Sequence, residues 1–131
     1  MPDESAGDQG RGDEPREILV VAENAVIAAL MGTLVELAGH TPHFPRIDER
    51  PLDAITRVRP ALLLLDCDHD LACEDEAYAR AEAVGAEILL FTPSRTPDEI
   101  REFAEKRDVE WMTLPISFTE FRTTVTHAMA S

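Results

Sequence analysis

Three polar residues stand just past apolar runs of the sequence, at the points where strands would end. They are Glu23, Asp66 and Thr92. An acid at the end of a buried strand is common at functional sites, although it can also do no more than cap the following loop. Two carboxylates and a hydroxyl that meet at one place would form a candidate polar site. The question is therefore whether the fold brings these residues together.

The elements that would position them alternate regularly. After each short apolar run, apolar residues recur at steps of three and four, which is the spacing of a helix. Asn24 is a predicted helix cap, and capping boxes are predicted at Thr96 and Ser117. This alternation predicts an α/β fold with a doubly wound, five-stranded parallel sheet covered on both faces. The predicted strands lie near 18–21, 41–46, 61–65, 87–91 and 109–114, and the predicted helices near 26–37, 52–58, 74–84, 97–107 and 118–129.

The carboxyl ends of parallel strands meet at one edge of a sheet. We therefore expect the residues that end the first, third, fourth and fifth strands to be neighbours, although they lie far apart in the chain. Those that matter below are Glu23, Asp66, Asp68, Thr92 and Leu114.

Length and composition limit the possible functions. The chain has 131 residues, 44% of them hydrophobic and 29% charged, which is typical of one globular domain. We expect residues 1–17 to be a disordered acidic tail and 18–131 to form the domain, and we interpret the Arg11–Asp13 tripeptide as a chance adhesion motif. No apolar run is long enough to span a membrane and the N-terminus lacks signal-peptide features, so a cytoplasmic location is expected.

The formal charge of -14 argues against nucleic acid or an anionic lipid surface as a partner. Cys67 and Cys73 are predicted to be reduced thiols, because they provide neither a disulfide framework nor, with His69, a zinc-ligand spacing. The surrounding acids should raise the thiol pKa and suppress a thiol nucleophile. The acidic residues of the loop that contains Cys67 and Cys73 have no lysine or arginine beside them in the sequence. We therefore expect them to be solvated rather than to bind calcium.

From Ile18 to the C-terminus the sequence resembles the receiver domain of two-component response regulators, the CheY-like superfamily. The matching motifs are ILVVAEN, LLLLDCD, LLFT and WMTLP. The resemblance implies a flavodoxin-like strand order of 2-1-3-4-5. It also implies that Asp66 is the phosphoacceptor, Thr92 the switch hydroxyl and Trp111 the switch aromatic. Mg²⁺ would be held by Glu23, Asp66 and the backbone carbonyl of Asp68.

Structural roles for these residues stay open beside the functional ones. Glu23 could be a solvated acid at a helix start, Thr92 a strand terminus and Trp111 a packing residue.

Two positions depart from the family pattern. Ala22 stands where the first acid is expected, and Leu114 stands where a lysine normally precedes the proline. The only lysine, Lys106, lies in the preceding predicted helix. Leu114 offers no donor to phosphoryl oxygens, whereas an opposite charge at about 4 Å could contribute a few kcal/mol. We therefore expect weakened or lost phosphorylation and weak Mg²⁺ binding.

The sequence thus predicts an atypical, stand-alone receiver-like domain that is not an enzyme and acts through protein contacts. Partners would be a histidine kinase, a phosphotransfer protein or an effector protein. The mixed-charge face of the fourth helix, fifth strand and fifth helix could form a homodimer or bind an effector, or could carry ordinary salt bridges. The alternative is a working receiver, phosphorylated on Asp66 with Mg²⁺. A flavodoxin-like enzyme is disfavoured because no phosphate-binding glycine loop is present.

Overall fold

The computed structural model describes residues 14–130, in which five strands alternate with five helices and one short 3₁₀ helix. The strands are β1 (Glu17–Val21), β2 (Thr41–His43), β3 (Leu62–Asp66), β4 (Glu87–Thr92) and β5 (Glu110–Thr113). The helices are α1 (Ala25–Leu37), α2 (Pro51–Val58), α3 (Asp75–Ala83), α4 (Pro97–Glu105) and α5 (Phe118–Met129), and the 3₁₀ helix is Asp70–Cys73.

The sheet is parallel throughout, in the order β2-β1-β3-β4-β5, which confirms the predicted flavodoxin-like topology. From β1 the chain first adds β2 on one side and then crosses to add β3 on the other side, so the strand order switches between β1 and β3. In sheets of this kind, ligands bind in the crevice outside the carboxyl ends of the strands at this switch point. Val21 pairs with Leu65 at the end of these two strands. The residues that follow, Ala22 and Asp66, therefore leave the sheet side by side.

Alternation along the strands divides the interior into two cores, one on each face of the sheet. In β3 every residue is buried. Leu63 and Leu65 belong to the core on the side of α2, α3 and α4, and Leu62 and Leu64 to the core on the side of α1 and α5. A strand buried on both faces explains why this run of the sequence is continuously apolar.

The helix starts have the predicted caps, although of the box predicted at Ser117 only one of the two bonds is found among the described residues. The Asn24 side chain accepts a hydrogen bond from the backbone N–H of Ile27 at 2.9 Å, and Thr96 and Glu99 form a complete capping box at α4. Ser117 caps α5 by accepting from the backbone N–H of Glu120. Past α1, Gly39 takes a φ of 93°, a left-handed conformation that suits a residue without a side chain.

Some boundaries differ from the predicted ones. β2 ends at His43 rather than near residue 46, because Pro45 has no N–H to give to a strand ladder. The 3₁₀ helix Asp70–Cys73 occupies what was predicted as loop; His69 Nδ1 accepts from the backbone N–H of Leu71, whose side chain is buried. The predicted tail lies largely outside the described residues, as does the Arg11–Asp13 tripeptide, while Glu17 already belongs to β1.

Of the helices within residues 14–130, none has both the length and the apolar character needed to cross a bilayer.

Candidate functional site

Asp66 ends β3 as a buried carboxylate whose two oxygens are both engaged. Its Oδ2 accepts a hydrogen bond from the backbone N–H of Glu23, and its Oδ1 accepts from the backbone N–H of Asp68, each at 2.9 Å. The first bond reaches across to the segment between β1 and α1, and the second closes a turn just past β3. Asp66 therefore ties together the two strand ends where the topology reverses.

Thr92 ends β4 and is buried as well. Its Oγ1 accepts from the backbone N–H of Ser94 at 3.2 Å and of Arg95 at 3.0 Å, which is the local turn-forming role of a threonine side chain. Its carbonyl accepts from the backbone N–H of Leu114 at 2.8 Å. The hydroxyl thus shapes the loop that leads into α4, and the backbone joins Thr92 to the end of β5.

Asp68 lies at the mouth of this edge and carries its strongest polar contacts. The Ser94 hydroxyl donates to Asp68 Oδ2 at 2.7 Å, and Arg95 Nε donates to Asp68 Oδ1 at 2.9 Å. The hydrogen bond from Ser94, followed by that from Arg95, holds the pKa of the Asp68 carboxyl below its usual value. This bridge links the loop after β3 to the loop after β4.

Arg95 places a positive charge at this edge of the sheet, where the sequence predicted none. Its guanidinium also lies 5.6 Å from the centre of the Phe103 ring on α4. The signal was present, because Arg95 is only three residues past Thr92, but the predicted site included no residue of that loop after Thr92. The charge is already paired with Asp68.

The residues predicted to hold Mg²⁺ offer the right type of ligand atom for that ion but few ligands. Glu23 has an exposed side chain and Asp66 lies beside it, and both are oxygen donors of the type Mg²⁺ prefers. Both Asp66 oxygens, however, already accept backbone N–H groups. Within residues 14–130, no three side chains of His, Cys, Asp and Glu gather as a metal-ligand set. A cation here would depend on two carboxylates and the Asp68 carbonyl.

Leu114 and Trp111 are both half-buried, on opposite faces of the sheet. Leu114 packs against the core beneath α1 and α5, and its peptide bond to Pro115 is cis. Trp111 packs against the other core, with α2, α3 and α4. The structure therefore provides a packing role for each, and the backbone bond to Thr92 positions Leu114 at the edge that carries Asp66.

Cys67 follows Asp66 and is buried. Burial is the main cause that raises the pKa of its thiol, while Arg95 lowers it and Asp68 and Asp66 raise it to smaller extents. The direction agrees with the sequence-based expectation for the thiols, but the expected cause, the surrounding acids, is secondary. A thiol of this kind is poorly suited to act as a nucleophile.

The mixed-charge face contains several local contacts between its own residues. Arg101 bonds to Asp98 within α4, and His127 of α5 contacts Glu110 of β5. Arg122 lies over the ring of Phe118, 5.7 Å from its centre. Exposed pairs of this kind contribute little to stability, so the face remains available for a contact with another molecule.

Comparison with solved structures places the fold among response regulator receiver domains. The receiver protein from Burkholderia phymatum matches with a TM-score of 0.73 and 18% identity, over 89% of this chain and 96% of its own. The chemotaxis protein CheY4 of Vibrio cholerae matches at 0.69 with 14% identity, covering 87% and 98%. A response regulator from Thermotoga maritima also matches at 0.69 with 14% identity, covering 90% and 99%.

These likenesses establish a receiver fold. No protein-family model matches the sequence, and no curated protein matches it either.

Proposed function

We propose that this chain forms an atypical receiver-like domain of a two-component-type signalling pathway. In this proposal it acts through protein–protein contacts rather than as an enzyme, and phosphorylation of Asp66 is weakened or lost. One observation carries the proposal: beside Thr92, at the edge where Asp66 ends β3, stands Leu114, which has no polar side-chain atom, and the nearby cation Arg95 is paired with Asp68.

The chemistry of phosphoryl transfer supports this assignment. An aspartate accepts a phosphoryl group when one oxygen is free to attack in line and when cations neutralise the transferred oxygens. Each Asp66 oxygen keeps a lone pair beyond its one backbone hydrogen bond, so the carboxylate itself can still attack. Leu114 has no polar atom to offer the phosphoryl group, and Arg95 is held by Asp68. A working receiver would need to overcome both obstacles.

A bound Mg²⁺ would supply the remaining neutralisation of phosphoryl oxygens. Glu23, Asp66 and the Asp68 carbonyl are the groups that would hold it, and two carboxylates make a weak site for an ion that keeps much of its water. We therefore expect low Mg²⁺ affinity in the unphosphorylated protein.

The partner in this proposal is a histidine kinase, a phosphotransfer protein or an effector protein. The face formed by α4, β5 and α5 is the candidate surface for an effector or for a second copy. Two contacts within the face, Arg101 with Asp98 and His127 with Glu110, pair some of its polar groups, so a partner could cover these without leaving either member of a pair alone. A location in the cytoplasm is part of the same proposal.

The test is labelling by a small acyl phosphate with Mg²⁺, followed by intact mass. We expect the wild-type protein to gain little phosphate and Leu114→Lys to gain about a hundredfold more, because an ammonium group would stabilise the transferred oxygens by a few kcal/mol. Leu114→Met is the matched control, since it changes the side chain without adding charge. Adding Asp66→Asn to Leu114→Lys should abolish the gain.

The alternative, a functional phosphoacceptor, predicts a different result. Two observations support it: the Glu23 backbone N–H donates to Asp66, and Asp66 pairs with Phe91, the residue before Thr92. Stoichiometric labelling of the wild-type protein on Asp66 would favour this alternative and contradict the proposal. No gain for a folded Leu114→Lys variant would contradict our account of the leucine.

A further inference from the structure

Helix α1 exposes apolar side chains where a surface helix normally presents polar ones. Among its 13 residues only Glu36 is charged. The exposed fractions are 77% for Val26, 46% for Leu30 and 65% for Leu37. The residues that α1 buries most deeply, such as Met31 and Val35, belong to a different face. The helix is therefore apolar on both its buried and its exposed sides.

The exposed residues have the spacing of a contact between helices. Val26, Leu30, Thr33 and Leu37 follow one another at steps of four, three and four, which is the alternation of a coiled-coil seam. Side chains that only faced water would not need this regular spacing. We call these four residues the α1 seam.

The steps between residues of the α1 seam are the same when counted from either end of the helix. An antiparallel copy of α1, related by a two-fold axis between Leu30 and Thr33, would place Val26 against Leu37 of the second copy. It would also place Leu30 against Thr33 of the second copy. Isologous contacts require this kind of self-complementary surface.

Net charge restricts where a second copy could bind to surfaces that carry no charge. The chain carries a formal charge of -14, so two copies repel each other over most of their surfaces. The seam itself is uncharged. In the antiparallel register the two Glu36 residues would be offset by about 13 Å along the helices, beyond the screening length of about 8 Å at physiological salt.

We propose that α1 packs antiparallel against α1 of a second copy of this chain, with the α1 seam as the contact. The helix is about 20 Å long, which places the contact among small interfaces and makes the dimer weak and reversible. This contact leaves the α4–β5–α5 face free and does not depend on phosphate chemistry at Asp66. It can therefore fail or hold independently of the proposed function.

Sedimentation velocity from about 1 to 500 µM tests the association. We expect the wild-type protein to shift from monomer to dimer over this range. Leu37→Glu should raise the dimer dissociation constant about tenfold or more, because it buries a charge in the seam. Ile47→Glu is the matched control: it makes the same kind of change at a fully exposed residue between β2 and α2, and should leave association unchanged.

A monomer at every concentration, with native circular dichroism, would overturn the proposal. An equal loss of association in Ile47→Glu and Leu37→Glu would overturn the assignment to α1.

Cysteine cross-linking tests the register in a Cys73→Ser background, which removes the exposed native thiol. A mixture of Val26→Cys and Leu37→Cys chains should form a disulfide-linked dimer under mild oxidation. Either variant alone should not, because two Val26 positions would be about 16 Å apart along the axis. Cross-linking of Val26→Cys with itself would indicate a parallel contact and contradict the antiparallel arrangement.

Discussion

The carboxyl of Asp68 makes the loop after β3 sensitive to acid. Because Ser94 and Arg95 lower its folded-state pKa, the stabilisation is present above the ordinary value of 3.8 and is lost as the pH falls through the lower folded value. We expect the free energy of unfolding of wild type to exceed that of Asp68→Asn above about pH 4 and the two to converge toward pH 2. Urea unfolding at several pH values measures this difference.

Asp48→Asn is the control for that measurement, because Asp48 lies on an exposed turn between β2 and α2. If the wild-type and Asp68→Asn curves stay parallel down to pH 2, the contacts of Asp68 do not stabilise the fold.

Tyr78 provides a second titration at the alkaline end. Burial raises its pKa to about 12, and its hydroxyl donates to the Ala72 carbonyl at 2.7 Å. Since it is the only tyrosine, absorbance at the phenolate band reports this residue alone. We expect the folded protein to titrate near pH 12 and the urea-unfolded protein near 10.0.

The raised pKa of Tyr78 stabilises the fold below pH 10, and this contribution declines as the pH rises through the folded value. A folded protein whose tyrosine titrates at the unfolded value would contradict the buried position. Tyr78→Phe should remove the signal and cost about 1 kcal/mol of stability, because the Ala72 carbonyl loses its donor.

The end of α2 is strained at one residue. Arg59 adopts a φ of 49° while its N–H donates to the Ile55 carbonyl, so a non-glycine residue occupies the left-handed position that usually ends a helix. Arg59→Gly should raise the free energy of unfolding by about 0.5 to 1 kcal/mol, as measured by urea unfolding.

Arg101→Gly is the contrasting substitution, because Arg101 lies inside α4, where glycine should destabilise by about 1 kcal/mol. A loss of stability in both variants would show that the backbone at Arg59 carries no strain.

Element types were predictable because periodicity and capping residues act locally. The apolar run of β3 and the Thr96–Glu99 box both form as predicted. The 3₁₀ helix Asp70–Cys73 was not predictable, since its formation depends on His69 as a cap and on burial of Leu71 by the rest of the fold. The early end of β2 had a local signal in Pro45, but a strand at the sheet edge tolerates proline, so the boundary was ambiguous.

The charge of the whole molecule should make its stability depend on salt. With 26 acidic and 12 basic residues, self-repulsion opposes the folded state at low ionic strength. Raising NaCl from about 10 mM to 0.3 M should increase the midpoint of thermal unfolding by about 3 to 6 °C, because the screening length falls from about 30 Å to below 8 Å.

That measurement is made at low micromolar protein, where self-association contributes least. A decrease in the midpoint with salt would contradict the prediction and would indicate that surface pairs such as Arg57–Glu49 outweigh the repulsion.

The candidate site was predictable in its location and less so in its contacts. Parallel strands bring their carboxyl ends together, so the proximity of Glu23 to Asp66 followed from topology. The backbone hydrogen bonds that occupy both Asp66 oxygens depend on loop geometry, which residue types do not specify. The place of Arg95 just past Thr92 puts a cation at this edge, but residue types do not specify that it pairs with Asp68, 27 residues away.

Trp111 and Tyr78 are the single indole and the single phenol of the chain, and both pack against the core beneath α2, α3 and α4. Excitation of the phenol should therefore pass to the indole only while that half of the interior is intact. The protein thus contains its own donor and acceptor fluorophores, and the ratio of their emissions can follow binding of an unlabelled partner to one side of the sheet without any added dye.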